Sequence, residues 1–318
     1  MRVISLTDQA KIHRKCNSRG IKGRLVAVDL LGTHFSNLSD IDQAWNDLHK
    51  LTLDEVSDVR RSGADALGKA FSHFRDKDQA WKDLIRLTQD EDSGVRRSAA
   101  YALGTVFVHV PNKYRDLHRL THDKGSDVRG WAAIALGKAF GYVPDKDQAG
   151  KDMHRLTLDK NNRVRWNAAD ALGTAFGYVP DKDQAWKDLV RLAQGEDSYV
   201  RMFAYHSLGR ATIFKATRAR NNGALKRELE AAVIYFEKSS QESKHGPARF
   251  CHPFYRTYLA ITFQEAKEEE VQRYLAEAKE AVGGSKSKDE LLKAVENLAG
   301  ALKEAQLLKN RSFPLVIG

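Results

Sequence analysis

The sequence predicts an all-α protein: a right-handed α-solenoid of six helical pairs over residues 1–214, followed by a helical region over residues 215–318. An arginine followed eight residues later by a glycine that closes an Ala/Leu-rich stretch occurs six times, at Arg24/Gly32, Arg60/Gly68, Arg96/Gly104, Arg129/Gly137, Arg165/Gly173 and Arg201/Gly209. The steps between arginines are 36, 36, 33, 36 and 36 residues. A period of this size marks units that cannot bury their apolar faces alone and must stack on their neighbours. Apolar residues inside each copy keep helical spacing, and cap-forming residues recur in fixed columns.

Each copy begins with a first helix. Asp76 is its expected N-cap, a role that Asp40, Asn112, Asp145 and Asp181 fill in the parallel copies. Pro111, Pro144 and Pro180 stand just before that cap, where a proline ends the preceding helix without harming the next. Ala80, Trp81, Leu84 and Leu87 then form one apolar face, matched by Ala44, Trp45, Leu48 and Leu51 and by Ala185, Trp186, Leu189 and Leu192. The tryptophans are expected to cover seams between copies.

A polar turn, Thr88 to Asp92 in the third copy, leads to a second helix, with Ser57, Ser93, Ser126, Asn162 and Ser198 as its expected caps. Val95, Ala99, Ala102, Leu103, Val106 and Phe107 repeat at i, i+4, i+7, i+8, i+11 and i+12. A glycine inside a helix costs about 1 kcal/mol relative to alanine, so its return in every copy predicts a close helix crossing.

Past residue 214 the period stops. Residues Thr217–Gly223 read as a linker, and four helices are expected at about 224–240, 247–263, 266–282 and 288–308. Residues 243–247 separate the first two, Gly283-Gly284-Ser285 the last two, and Ser287-Lys288-Asp289-Glu290 opens the final helix as a capping box.

Composition bounds the function. The chain of 318 residues is 42% hydrophobic and 30% charged, with no apolar run long enough for a membrane helix. The first residues lack the apolar stretch of a secretory signal, so a cytoplasmic location is expected. Cys16 and Cys251 lie far apart, which predicts two free thiols and neither a disulfide framework nor a metal site. The net charge of +10 is concentrated locally: six bases and no acid lie between Asp8 and Asp29, and seven bases lie between Asp197 and Glu228.

Asp54, Asp90, Asp123 and Asp159 each stand six residues before the recurring arginine of their copy. Stacking is expected to place each arginine beside the aspartate of its own or an adjacent copy, as a ladder of charge-assisted hydrogen bonds. On that reading Arg96→Ala destabilises the chain by leaving Asp90 or its neighbour short of a partner.

The spacing Leu84-x2-Leu87-x2-Asp90-x4-Val95-Arg96-x2-Ala99-x2-Ala102-Leu103-Gly104 resembles a HEAT-like repeat of the phycobilisome-lyase type. The longer unit with Asp76-Lys77-Asp78-Gln79-Ala80-Trp81 resembles tandem HEAT proteins of methanogenic archaea. The resemblance covers about residues 6–214 and implies a concave surface of second helices that binds a partner. Two copies depart from it: the fourth lacks three residues where others have Asp-Gln-Ala, and the fifth has Gly150 in the Trp column. The pattern from Ala248 to Ala278 is loosely similar to tetratricopeptide-type hairpins.

Catalytic readings fail on residues. HEAT-like di-iron hydroxylases use His-Glu pairs, and none of the 11 histidines is followed by glutamate. Tyr101, Trp131, Trp166 and Asp170 mimic the pocket of HEAT-like DNA glycosylases, without a motif specific to that class. No enzyme, cofactor, metal or membrane partner is therefore expected, and the leading function is an interaction scaffold for protein partners. Contacts are expected from columns that vary between copies, with Arg61, Asp65, Arg97, Tyr101, Trp166, Asp170 and His206 as candidates. The alternative is a nucleic-acid or other polyanion binder using Arg210, Lys215, Arg218, Arg220, Lys226 and Arg227 at the junction. The next acid-free stretch, Lys244 to Gln264, adds Arg249 and Arg256 among aromatic residues.

Overall fold

The computed structural model describes residues 6–110, 113–243, 246–263, 267–282 and 288–311, and all regular structure among them is helical. The chain divides into two compact units, Met1–Asp181 and Lys182–Gly318.

The first unit is a stack of five helical pairs. They are α1 (Leu6–Cys16) with α2 (Ile21–His34), α3 (Ile41–Leu51) with α4 (Ser57–Ala70), and α5 (Lys77–Leu87) with α6 (Ser93–Val106). Then follow α7 (Tyr114–Leu120) with α8 (Ser126–Ala139), and α9 (Lys146–Thr157) with α10 (Asn162–Ala175). The three residues missing from the fourth copy shorten its first helix, α7, to 7 residues against 11 in α5. Asp40, Asp76 and Asp145 cap their helices as expected, accepting from the backbone N–H of Gln43, Gln79 and Gln148 at 2.8–2.9 Å. The expected cap Asn112 lies outside the described residues.

The caps of the second helices fall one residue earlier than the Ser/Asn column. Asp92 accepts from Val95 N–H, and Asn161 from Arg163 N–H and Val164 N–H, while Ser93 and Asn162 are already helical. The cause is an Asx turn: Asp54, Asp90, Asp123 and Asp159 each accept the N–H two residues on, at 2.8–2.9 Å, which advances the helix start.

Small residues set the stacking distance. A Cβ added at Gly32, Gly68, Gly104 or Gly137 would lie 2.9, 3.0, 3.0 or 2.7 Å from the Cβ of Ala66, Ala102, Ala135 or Ala171, each two residues before the glycine column of the next copy. The recurring glycine is therefore a contact residue between successive second helices. Phe35, Phe71, Phe107, Phe140 and Phe176 close each second helix and are fully buried.

Two side-chain ladders tie the copies together. Each recurring arginine donates from Nη1 to the two carbonyls five and six residues upstream, as Arg60 does to Asp54 and Glu55 at 2.9 and 3.0 Å and Arg129 to Asp123 and Lys124 at 2.8 and 3.0 Å. In the first, second and fourth copies the rest of the guanidinium reaches forward to the aspartate of the next copy. Arg24 meets Asp54, Arg60 meets Asp90 and Arg129 meets Asp159, each at 2.7 Å. Asp90 is thus held by Arg60, not by Arg96, which binds the Asp90 and Glu91 carbonyls at 2.8 Å. Stacking brings residues 30 apart into contact, so the ladder runs between copies rather than within them.

The second ladder joins the first helices and was not foreseen from the sequence. Asp47, Asp83 and Asp152 are buried, and each pairs with a histidine 34 residues earlier: His13 at 2.8 Å, His49 at 2.6 Å and His118 at 2.7 Å. In the third copy Ile85 stands in the histidine column, and Trp81 Nε1–H donates instead to Asp116 at 2.8 Å, across a seam as expected of the tryptophans.

The second unit opens with the sixth pair, α11 (Lys182–Ala193) and α12 (Ser198–Ala216), and continues with α13 (Asn222–Glu242), α14 (Ala248–Phe263), α15 (Glu268–Ala281) and α16 (Lys288–Arg311). The four helices expected after the repeats are present. The turn Gly283-Gly284-Ser285 and Ser287 of the capping box lie outside the described residues, as do Lys244, His245 and Gln264. Asn221 starts α13 by accepting from Ala224 N–H at 2.8 Å. The repeat period ends near residue 214, but the compact unit begins at Lys182 because α13 packs on α12 where a seventh second helix would stand. A Cβ at Gly209 would lie 2.5 Å from the Phe236 ring, and Arg201 finds its forward carboxylate in Glu242, with two contacts of 2.7 Å. Val271, Leu275, Val295, Leu298 and Leu302 build the core beyond, with Phe250 and Phe254 packed against it.

Candidate functional site

Because Ala, Gly and Leu columns of the second helices are buried in stacking, two other columns reach the surface in the second and third copies, although Gly130, Met202 and His206 of the same columns are buried. They lie two and six residues after the valine that precedes each recurring arginine. In the second and third copies Arg61, Asp65, Arg97 and Tyr101 are all exposed. Between α4 and α6 runs a groove of about 480 Å³ lined by Asp65, Gly68, Lys69, Tyr101, Ala102 and Thr105. The close approach of Gly68 to Ala102 forms its floor.

The groove mixes charge and aromatic surface. Arg61 pairs with Asp58 at 2.9 Å. The Asp65 residue is open to solvent, yet the groove walls strip water from its carboxyl. That burial raises its pKa above the usual carboxylate range, against the Ser98 hydrogen bond and the charges of Lys69, Arg61 and Arg97. Tyr101 meets Trp131 edge to face, with ring centres 4.9 Å apart. Further along, Arg163 pairs with Asp127 at 3.3 Å and lies 6.0 Å from the Trp166 ring centre. Trp166 and Asp170 are half-buried, and in the fourth copy Gly130 of the same column is covered by Asn167. Trp131 and Lys69 belong to this surface although they lie outside the two variable columns. The i, i+3 spacing of Trp131 from Val128 is the signal for the first.

His206 is not on this surface. It is buried, with Cys251 Sγ 3.7 Å from its Nε2 and the Phe236 ring centre 5.7 Å away, because α13 and α14 cover the sixth copy. Burial, and secondarily the charge of Arg210, pushes its pKa down to about 3. The folded state thus holds His206 neutral while the unfolded chain protonates near pH 6.5. This contribution to stability is complete above pH 6.5 and is lost as pH falls from there toward 3, at about 1.4 kcal/mol per pH unit. The unfolding midpoint is expected to drop between pH 6.5 and 5, and His206→Gln is expected to flatten that slope. A parallel slope in both proteins on thermal scans would refute it.

The basic residues of the junction are largely committed to neighbours within the second unit. The Lys215 ammonium sits 3.5 Å above Trp186, Arg218 lies 3.7 Å from the Phe214 ring centre, and Lys226 pairs with Glu230 at 3.8 Å. Arg210 is half-buried, whereas Arg220, Arg227 and Arg249 are exposed. Arg256 lies 4.2 Å from the Tyr274 ring centre, and Tyr255 stacks on Phe236 at 5.3 Å. Cys16 and Cys251 are free thiols, and burial raises their pKa values to about 12 and about 11. No described helix is long and apolar enough to cross a membrane.

No curated protein matches the sequence. Among solved structures, the chain is similar to a form of Kap121p, with a TM-score of 0.55 at 14% identity over 87% of this chain and 34% of that one. It is similar to Kap95p from the complex with RanGDP, with a TM-score of 0.53 at 11% identity over 95% of this chain and 48% of that one. For the Pds5–Scc1 complex the TM-score is 0.50 at 12% identity, over 94% of this chain and 50% of that one. The chain spans about a third to a half of these proteins, and at such identities the likeness speaks to the fold: a helical-repeat solenoid. Residues 46–137, from α3 through the recurring glycine of α8, match the family described as HEAT repeats.

Proposed function

We propose that the protein is a non-catalytic scaffold that binds protein partners through the second-helix surface of the repeat array, with the C-terminal helices contributing further contacts. The observation that carries this reading is the division of labour among columns. The Gly and Ala columns that repeat are buried in stacking, while the two columns that hold Arg61 and Arg97, and Asp65 and Tyr101, change residue type along the array and are exposed in the second and third copies, where Asp65 and Tyr101 line one groove. A surface facing a non-repeating partner has no need to repeat. Kap95p binds RanGDP and Pds5 forms a complex with Scc1, which agrees with a binding role for such solenoids. The array over residues 1–214 is the recognition region on this reading. The repeat phrase supports the phycobilisome-lyase type and an archaeal setting, and a cytoplasmic location is part of the same proposal.

Arg97 and the Tyr101–Trp131 pair suit a partner segment that offers a carboxylate beside an apolar side chain. Co-purification from the native host at low and high salt, with the parent and an Arg97→Ala/Tyr101→Ala variant, tests the proposal. Partners retained by the parent at both salt concentrations and lost by the variant at unchanged unfolding midpoint are expected. Recovery of nucleic acid that weakens steeply with salt would favour the polyanion reading instead, because counterion release makes such binding salt-dependent. The exposed Arg220 and Arg227 would then be the first residues to replace.

A further inference from the structure

We propose that His118, His122 and Asp152 form a binding site for a divalent transition-metal ion of the zinc class between the first helices of the fourth and fifth repeats. One ligand atom from each residue lies within 4.8 Å of the others. Two imidazoles and a carboxylate are a zinc-type donor set, and three protein ligands leave a fourth tetrahedral position for water or for a group from a partner.

The repeats provide an internal comparison. His13–Asp47 and His49–Asp83 are the same histidine–aspartate pair in the first and second steps of the array. There the pair only ties one first helix to the next. In the column of His122 the second, third and fifth copies carry Leu53, Gln89 and Leu158. The fourth copy alone among these adds a second imidazole, four residues after His118 and therefore on the same side of the helix end. The two rings meet edge to face, with centres 4.8 Å apart.

The surrounding bonds prepare the ligands. His122 Nδ1 lies 3.0 Å from the His118 carbonyl oxygen, an acceptor, so the proton sits on Nδ1 and the lone pair is left on Nε2 as a metal ligand. Asp152 is buried and anchored by the Tyr114 hydroxyl and the Gln148 amide, each donating at 3.3 Å. His118 Nδ1 already approaches Asp152 Oδ2 at 2.7 Å. Bonds of about 2.1 Å around a tetrahedral ion require ligand atoms about 3.4 Å apart. The exposed His122 ring must swing inward by about an ångström, while the half-buried His118 must draw back from the carboxylate it now touches at 2.7 Å, to make room for the ion. The neighbouring cation, Arg155, is engaged with the Thr121 carbonyl and hydroxyl at 2.7 and 2.8 Å.

The test uses the full chain without an affinity tag, stripped with chelator and titrated with Co²⁺ by visible absorption and with Zn²⁺ by calorimetry. One saturable Co²⁺ per chain with tetrahedral absorption bands, displaced by Zn²⁺ and not by Mg²⁺, is expected. His122→Leu, which copies the residue of the second and fifth repeats at an exposed position, is expected to weaken Zn²⁺ binding by at least about 100-fold. His49→Gln is expected to leave it unchanged. Absence of saturable binding, or equal Zn²⁺ affinity in the parent and His122→Leu, would overturn the assignment.

Discussion

Gly137→Ala is expected to lower the unfolding free energy by about 3 kcal/mol, the upper end of the usual cost of overpacking. An alanine in a helix interior is ordinarily favourable by about 1 kcal/mol over glycine. Here the added Cβ would fall 2.7 Å from both Cα and Cβ of Ala171 and 3.0 Å from its carbonyl oxygen. Two of those three atoms are backbone, so relief requires moving α10 away from α8. Separation along one seam also loosens the groups that bridge it, including the Arg129–Asp159 pair. Gly150 is the control. Its Cβ would meet only Pro180 Cδ at 4.0 Å, so Gly150→Ala is expected to stabilise by about 0.5–1 kcal/mol. Denaturant unfolding of the two variants checks the sign of each, and stabilisation by both would show that the recurring glycine is not a contact residue.

The second large effect is expected at the Arg129–Asp159 rung. The two side chains are 10% and 7% exposed and bind through Nε–Oδ2 at 2.7 Å and Nη2–Oδ1 at 3.0 Å. Arg129→Ala leaves a buried carboxylate without its cation, and the Asp123 and Lys124 carbonyls without their donor. A loss of about 3–5 kcal/mol follows for removal of one partner from a buried pair. Arg129→Lys is expected to recover little, because a point charge cannot serve two carbonyls and a bidentate carboxylate at once. Burial alone would raise the Asp159 pKa. The Arg129 hydrogen bond, the Asn161 N–H and the charges of Arg129 and Arg155 outweigh it and hold the carboxyl below the usual range. The rung therefore contributes fully above the unfolded pKa of about 4 and is lost as pH falls through the lower folded value. A double-mutant cycle of Arg129→Ala with Asp159→Ala measures the coupling, and a value near zero would remove the ladder as a source of stability.

Much of this protein is determined along the chain itself. The 33- or 36-residue step, the caps Asp40, Asp76 and Asp145, and the apolar spacing of each helix are local or strictly periodic properties. Local hydrogen bonding and helical periodicity act over a few residues, so they remain visible in one dimension. The glycine column announced a close crossing for the same reason, since its cost is intrinsic to the helix and demands an external cause.

The tertiary structure decided which partner each group received. Arg60 and Asp90 are 30 residues apart, and His118 and Asp152 are 34, so only the rise from one pair to the next selects them over the aspartate of the same copy. That rise is set by how nearly Gly68 and Ala102 touch, a packing distance that no single repeat specifies. The fate of the sixth copy was likewise undecided by its own residues. His206 belongs to the same column as Tyr101, yet α13 and α14 bury the first while the second remains at the groove, because a helix with Phe236 and Glu242 follows the sixth repeat in place of a seventh copy.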